Sequence, residues 1–225
     1  MKKPLNNINS RLRILFVLLF ICLITSCSSI KLIRSNKNPK FNLFKPKKIL
    51  VVGVTPDYEA RKTFEFKVIT QLNARKINAL QSAVVFESSF KNKEQTEKEI
   101  ELEIDKLLQN NYDTVLVSLV KGIDENELFE GESSKTDYHL RRFALYYLTH
   151  QNAYFNEENR TKYKVYNIET TIYNLKKDSD KSLVWQGTFD LVDPNSNTKA
   201  IETYVKKLIK TLEKEKIIPK KFSKN

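Results

Sequence analysis

Two short, strongly apolar runs of residues most constrain what this chain can fold into. The first covers residues 49–54 and the second covers residues 114–120. Short runs without polar alternation are typical of strands buried on both faces, as in parallel sheets flanked by helices. They therefore predict an α/β domain built around these two strands.

Helices and one more strand fill the interval between the two runs. The turn at residues 55–57 can cap a helix that ends near residue 76, with apolar residues on one side at Phe64, Val68 and Leu72. A strand over residues 79–86 follows, and the capping box at residues 96–99 opens a second helix. Right-handed crossovers make the three strands of this β-α-β-α-β order parallel.

A hairpin and a helix complete the expected fold. Residues 163–175 and 183–191 flank a polar turn, and the second strand places Leu183, Trp185, Gly187, Phe189 and Leu191 on one face. Residues 201–212 have a clear amphipathic period. We expect an α/β (α+β) fold: a single mixed sheet of about five strands with helices packed on it, spanning residues 47–219, and a basic tail over residues 220–225.

Acidic and aromatic residues between the third strand and the hairpin have no clear period. Residues 124–137 form a long acidic loop. The aromatic stretch 138–155 is either a strand or, as we predict, contains a short helix over residues 140–149. His139 and His150 lie eleven residues apart without cysteine partners, so we predict no metal site. A solvated helix face explains the alternating acids Glu97, Glu99, Glu101 and Glu103.

The N-terminus has the pattern of an export signal over residues 1–26. A basic start precedes eleven apolar residues, 14–24, which are too few to span a bilayer because a spanning helix needs about 20. The next residues complete a motif: Ile24, Thr25, Ser26 and Cys27 resemble the lipobox of bacterial lipoproteins. The resemblance implies cleavage before Cys27, acylation of that cysteine and removal of Cys22.

The lipobox resemblance also implies a location. Ser28, in place of Asp, is similar to the signal for release to the outer membrane, and no acid precedes Asp57, which favours the periplasmic face. Removal of four basic residues lowers the formal charge from +12 to +8. Residues 27–46 are predicted to be an irregular tether, which is either simply solvated or contacts an anionic leaflet through Lys31, Arg34, Lys37, Lys40, Lys45, Lys47 and Lys48.

The element order on a lipobox and basic tether resembles small α/β periplasmic lipoproteins. These include the N-terminal domain of the translocation protein TolB and the α/β domain of the curli-secretion lipoprotein. The resemblance rests on residues 24–27, 61–64, 112–117 and 183–187. It implies a fold but no active-site motif, and fold likeness alone assigns no function. The lack of an additional lipid-facing strand pair disfavours a pore.

The sequence carries no catalytic or nucleotide-binding motif, and its four glycines stand alone. We therefore expect a non-enzymatic interaction or assembly module with no cofactor, whose partners are the membrane and another envelope protein or a second copy. Export argues against nucleic acid. A ligand pocket would lie beyond the carboxyl ends of the parallel strands, at Thr55, Asp57, Ser88, Ser89, Gly122 and Asp124. The alternatives are a hydrolase-type envelope enzyme using Asp57 and Asp124, or a lipid- or lipopolysaccharide-binding lipoprotein.

Overall fold

We describe the fold from a computed structural model. It describes residues 30–41, 44–86, 94–122, 143, 147, 151, 165–176, 183–192 and 197–221. The strands are β1 (Ile30–Lys37), β2 (Lys48–Val54), β3 (Asn78–Gln81), β4 (Thr114–Gly122), β5 (Val165–Asn174) and β6 (Leu183–Val192). The helices are α1 (Tyr58–Asn73), α2 (Ser82–Val85), α3 (Glu97–Gln109) and α4 (Asn197–Lys214). None of the helices in these ranges is long and apolar enough to cross a membrane.

All six strands form one open mixed sheet in the order β1-β6-β5-β4-β2-β3. β2 pairs in parallel with β3 and β4, whereas the β4–β5, β5–β6 and β1–β6 pairs are antiparallel. The predicted α/β class, the parallel β-α-β-α-β unit and the C-terminal hairpin are confirmed. The sheet has six strands rather than about five, because the chain contributes one strand before the expected domain.

That additional strand is β1, and it corrects the prediction of an irregular tether. Residues 30–37 pair with β6, from Ile30 opposite Leu191 to Lys37 opposite Trp185. The apolar period is hard to recognise because the register shifts between Leu32 and Arg34. After that bulge the side chains that face the helices are polar. Ser35 and Lys37 hydrogen-bond to Glu215 instead of joining the hydrophobic packing.

β3 is shorter than predicted. The expected strand over residues 79–86 ends at Gln81, and the chain then turns into α2. The ladder stops because the Glu65 carboxylate takes the hydrogen bonds of the next backbone groups, Gly53 and Ser82. α1 also ends earlier than expected, at Asn73, and Lys76 has a positive φ of 62° in the turn that leads to β3.

Each face of the sheet carries its own hydrophobic cluster. On one face, α1 and α4 cover residues such as Val51, Leu116 and Phe189. On the other face, α3 packs over Leu50, Val52 and the neighbouring positions of β4 and β5. This second face is where Leu183 packs, not the Trp185 face as predicted. A bulge opposite residues 172–173 lets Tyr173 pair with Leu183 and Ile172 with Trp185, which changes the alternation.

α3 begins with the predicted capping box. The Thr96 hydroxyl accepts from the Glu99 backbone N–H, and the Glu99 carboxylate accepts from the Thr96 backbone N–H at 2.8 Å. Its acids are not all on a solvated face, since Glu103 is buried and its carboxylate lies 3.1 Å from the Lys106 ammonium. From the predicted helix over residues 140–149, the structure describes Phe143 and Tyr147, which are helical and buried; the remainder and the acidic loop 124–137 lie outside the described residues.

Candidate functional site

A small cavity lies at the carboxyl ends of β2 and β4, on the face that α1 and α4 cover. Its volume is about 80 Å³. The walls are mostly apolar and come from Gly53, Val54, Thr55, Ala60, Arg61, Phe64, Ser118, Val120, Ile168, Leu191, Ile201 and Tyr204. α1 approaches β2 closely here, because a Cβ on Gly53 would lie 3.2 Å from both the Arg61 and the Phe64 side chains.

Three buried hydroxyl groups lie beside this cavity. The Ser118 hydroxyl is 2.9 Å from both the Thr170 and the Tyr204 hydroxyls, and Thr170 and Tyr204 also hydrogen-bond to each other. Phe64 stacks on the Tyr204 ring and Phe189 meets it edge-on. Burial raises the pKa of Tyr204 to about 12. These hydroxyls are therefore neutral at physiological pH and satisfy one another.

Glu65 is a buried carboxylate on the other side of Gly53, and it is 1% exposed. It accepts hydrogen bonds from the Gly53 backbone N–H at 2.9 Å, the Ser82 hydroxyl at 2.6 Å and the Ser82 backbone N–H at 3.1 Å. Burial raises the pKa of Glu65, while these bonds and the nearby Arg61 charge lower it by less. Sequence reasoning missed this group, since nothing in the residues around it signals that its bonding partners lie on β2 and α2.

The structure separates the residues predicted to form a pocket. Thr55 lines the cavity, but Asp57 caps α1 by accepting from the Ala60 backbone N–H at 3.0 Å. Gly122 is the last residue of β4. The other members, Ser88, Ser89 and Asp124, lie outside the described residues, as do the lipobox, Cys27, His139 and His150. In the part of the chain that the structure describes, no three His, Cys, Asp or Glu residues cluster where they could hold a metal ion.

The basic residues predicted for membrane contact are spread along the whole length of the sheet. Lys31 and Arg34 are exposed on β1, whereas the Lys37 ammonium donates to the Glu215 backbone carbonyl at 3.3 Å. The other four, Lys40, Lys45, Lys47 and Lys48, lie at the opposite end of β1 from Ile30. Eight strand residues rise about 23 Å, so the whole set of basic residues extends over at least this distance along the sheet.

Glu215 holds β1 and β6 against the chain that leaves α4. Its carboxylate accepts from the Ser35 hydroxyl and from the Trp185 indole N–H, both at 2.6 Å. Trp185 is fully buried, and its ring lies over Gly187, where no Cβ would fit. The hydrogen bond between Ser35 and Glu215 joins residues 180 positions apart, and no local pattern in the sequence predicts it.

The fold is thus a small α/β domain with an open mixed sheet, and solved structures of similar proteins exist. A PelC dodecamer from Paraburkholderia phytofirmans has a TM-score of 0.43 at 11% identity, covering 85% of this chain and 100% of that chain. Lipoprotein GNA1162 from Neisseria meningitidis has a TM-score of 0.37 at 17% identity, covering 75% of this chain and 99% of that chain. A DUF4136 family protein from Bacteroides thetaiotaomicron has a TM-score of 0.40 at 12% identity, covering 85% and 98%.

No family model and no curated protein matches this chain. The TM-scores of these solved structures are all below 0.5, so the similarities assign neither an activity nor an oligomeric state to it.

Proposed function

We propose that this chain is a lipid-anchored protein of the bacterial cell envelope and that its α/β domain is a non-enzymatic interaction module. The observation that carries the proposal is the sequence Ile24, Thr25, Ser26, Cys27 directly after an apolar run of signal-peptide length. Acylation of Cys27 would supply stable membrane attachment, because each buried CH₂ contributes about 0.8 kcal/mol and several chains act together.

The start of the folded domain supports a close attachment. Only three residue steps separate Cys27 from Ile30, the first residue of β1, so the chain between them spans at most about 11 Å. Ile30 pairs with Leu191, which lines the cavity. The end of the sheet with the cavity is therefore the end tied to the membrane, and we call it the near end. The opposite end of the strands is the far end.

The residue after the lipidated cysteine supports the outer membrane as the destination. Ser28 stands where the retained lipoproteins that this motif resembles carry Asp, and the first acid of the whole chain is Asp57. The proposal includes attachment to the periplasmic face. A Ser28→Asp variant is then expected to move from the outer-membrane fraction to the inner-membrane fraction; unchanged fractionation would remove this part of the proposal.

The polar groups at the near end support an interaction module over an enzyme. Asp57 caps a helix, Glu65 accepts three hydrogen bonds, and the hydroxyls beside the cavity bond to one another. Because these groups satisfy structural neighbours, they are poor choices for acid or base catalysis. A hydrolase using Asp57 would lose function in an Asp57→Asn protein of normal abundance, whereas a binding module would keep it.

The size of the cavity argues against carriage of a lipid or lipopolysaccharide. Ligand pockets usually enclose about 300–1,000 Å³, and a single liquid water occupies about 30 Å³. A cavity of about 80 Å³ admits a group of only a few heavy atoms. We propose that the surface that meets a partner protein is the stretch over residues 124–155, because its acidic and aromatic residues follow no strong period in the sequence.

The test of the anchor uses the two cysteines as a matched pair. Cells are labelled with radioactive palmitate while they express the wild type, Cys27→Ser or Cys22→Ser. The Cys27→Ser protein should lose the label and keep its 26-residue signal, whereas Cys22→Ser should be labelled and processed like the wild type. Labelling of Cys27→Ser at the wild-type level would refute the proposal.

A further inference from the structure

The far end accounts for the net positive charge of the chain after residue 26. We define the far end by the described residues 37–41, 44–48, 73–78, 109–114, 174–176, 183 and 213–221, which the topology brings to one end of the sheet. They include twelve Lys and Arg residues but only three acids. The excess of nine cations exceeds the net charge of +8 left after the signal, so the remaining residues are together close to neutral.

The three acids of the far end are bound to structural donors. Asp113 accepts from the Lys47 and Lys48 backbone N–H groups. Glu213 binds the buried Arg75 guanidinium at 2.8 Å, and Glu215 binds Ser35 and Trp185. By contrast, nine lysines of the far end are exposed: Lys40, Lys45, Lys47, Lys76, Lys176, Lys214, Lys216, Lys220 and Lys221.

The chemistry of this end favours a hydrated polyanion over a bilayer. Protein surfaces that insert into the bilayer interface combine basic residues with exposed apolar or aromatic side chains. Exposed large hydrophobic residues of the described chain are Ile33, Tyr58, Phe66, Val84 and Leu102, and none belongs to the far end. The exposed cations there are all lysines, which attract anions as flexible point charges without a fixed fork geometry.

The position of the far end completes the argument. β1 starts near the membrane attachment at Ile30 and carries the chain about 23 Å away to Lys37, almost three Debye lengths at physiological salt. With the near end toward the membrane, the far-end lysines act on something else. We propose that the far end docks on a carboxylate-bearing polymer of the cell wall, peptidoglycan, on the side of the domain that faces away from the membrane. This inference rests on the proposed membrane anchor.

The experiment measures sedimentation of the full mature lipoprotein, in nonionic detergent, with purified peptidoglycan sacculi. The test variant carries Lys45→Gln, Lys176→Gln and Lys214→Gln, three exposed far-end lysines for which the structure gives no side-chain partner. The control variant carries Lys62→Gln, Lys98→Gln and Lys206→Gln, with the same loss of charge on exposed helix positions outside the far end. Circular dichroism and thermal midpoints verify that both variants fold.

We expect the far-end variant to lower the apparent affinity for sacculi about tenfold at 150 mM NaCl, since it removes three of the cations that attract the anionic polymer. The control variant should change it less than twofold, and wild-type binding should weaken with added salt. Equal losses in both variants, or no binding by the wild type, would overturn the proposal.

A parallel arm, after removal of the detergent, compares vesicles with 30% phosphatidylglycerol with neutral vesicles, to which the acyl chains attach equally. A far-end-dependent preference for the anionic vesicles, without far-end-dependent binding to sacculi, would identify anionic lipid as the ligand and overturn the wall proposal. Palmitate labelling tests the anchor independently. A labelled protein that ignores sacculi would refute only this surface, and an unlabelled one that sediments would refute only the anchor.

Discussion

A glutamate supports each edge strand of the sheet, and the two glutamates differ in how deeply they are buried. β3 is four residues long, and the fully buried Glu65 stops its ladder by binding Gly53 and Ser82. β1 is eight residues long, and the partly exposed Glu215 fastens it to Trp185 and the chain after α4. Unpaired strand edges promote aggregation, so both solutions protect the fold.

The difference between the two edges shows two ways of preventing further strand pairing. At β3 the Glu65 carboxylate takes the place of further strand pairing, because it binds the backbone N–H groups of Gly53 and Ser82. This protection depends on a buried group. At β1 the protection is external: Lys31 and Arg34 are exposed on the strand, and the register shifts between Leu32 and Arg34. Charge and bulges are recognised protections of long edges. The β1 edge also follows directly after the residues that resemble a lipobox.

The largest expected effect comes from Glu65→Ala. The change leaves the backbone N–H groups of Gly53 and Ser82 buried without their acceptor, and each such group costs about 1–3 kcal/mol. We expect the free energy of unfolding in urea at pH 7 to fall by about 3–5 kcal/mol. Lys62→Ala, an exposed position on the same helix, should change it by less than about 0.5 kcal/mol. A loss below about 1 kcal/mol for Glu65→Ala would mean that burial is not what protects the β3 edge.

Gly187→Ala should follow, with a loss of about 2–3 kcal/mol. The new methyl group collides with the Trp185 ring, which must leave its position over β6 and its bond to Glu215. Trp185 is the only tryptophan, so its emission should shift to longer wavelength as the indole meets water. Gly53→Ala is the control: its methyl group would meet Arg61 and Phe64, so the emission should stay at the wild-type wavelength. Unshifted emission in Gly187→Ala would show that the indole is not fixed by the missing Cβ.

Glu215→Ala should cost about 2 kcal/mol, because it removes two hydrogen bonds to the carboxyl group, one of them from a buried indole. Hydrogen exchange should speed up at the amides of β1 more than at those of β4. The matched control is Glu202→Ala on α4, whose 3.8 Å contact with Lys67 is exposed and should contribute less than about 0.5 kcal/mol. Unchanged exchange along β1 would show that pairing with β6 alone holds this edge.

The sequence predicts the centre of the sheet better than its two edges. β2, β4, the α3 capping box and α4 follow from local signals, since apolar runs, periods and caps involve neighbouring residues. The location of the cavity at the carboxyl ends of the parallel strands follows from topology. β1 and the role of Glu65 depend on contacts remote in the sequence, as between Ile30 and Leu191, and no local pattern announces them.

The smallest effect is the pH dependence that Glu65 gives to the stability of the fold. Burial raises the pKa of Glu65 in the folded protein, so the folded state holds its proton more tightly than the unfolded chain. The stability that this group contributes is therefore fully present below its ordinary pKa and is lost as the pH rises through the raised value.

The comparison of wild type with Glu65→Gln isolates this contribution, because the other titrating groups are common to both proteins. We expect the thermal midpoint of the wild type minus that of the variant to be largest at pH 4 and to decrease steadily toward pH 7. A difference that grows with pH would mean that the three hydrogen bonds to Glu65 outweigh its burial, and that the folded protein prefers the ionised carboxylate. In that case the β3 edge would be held by a charge.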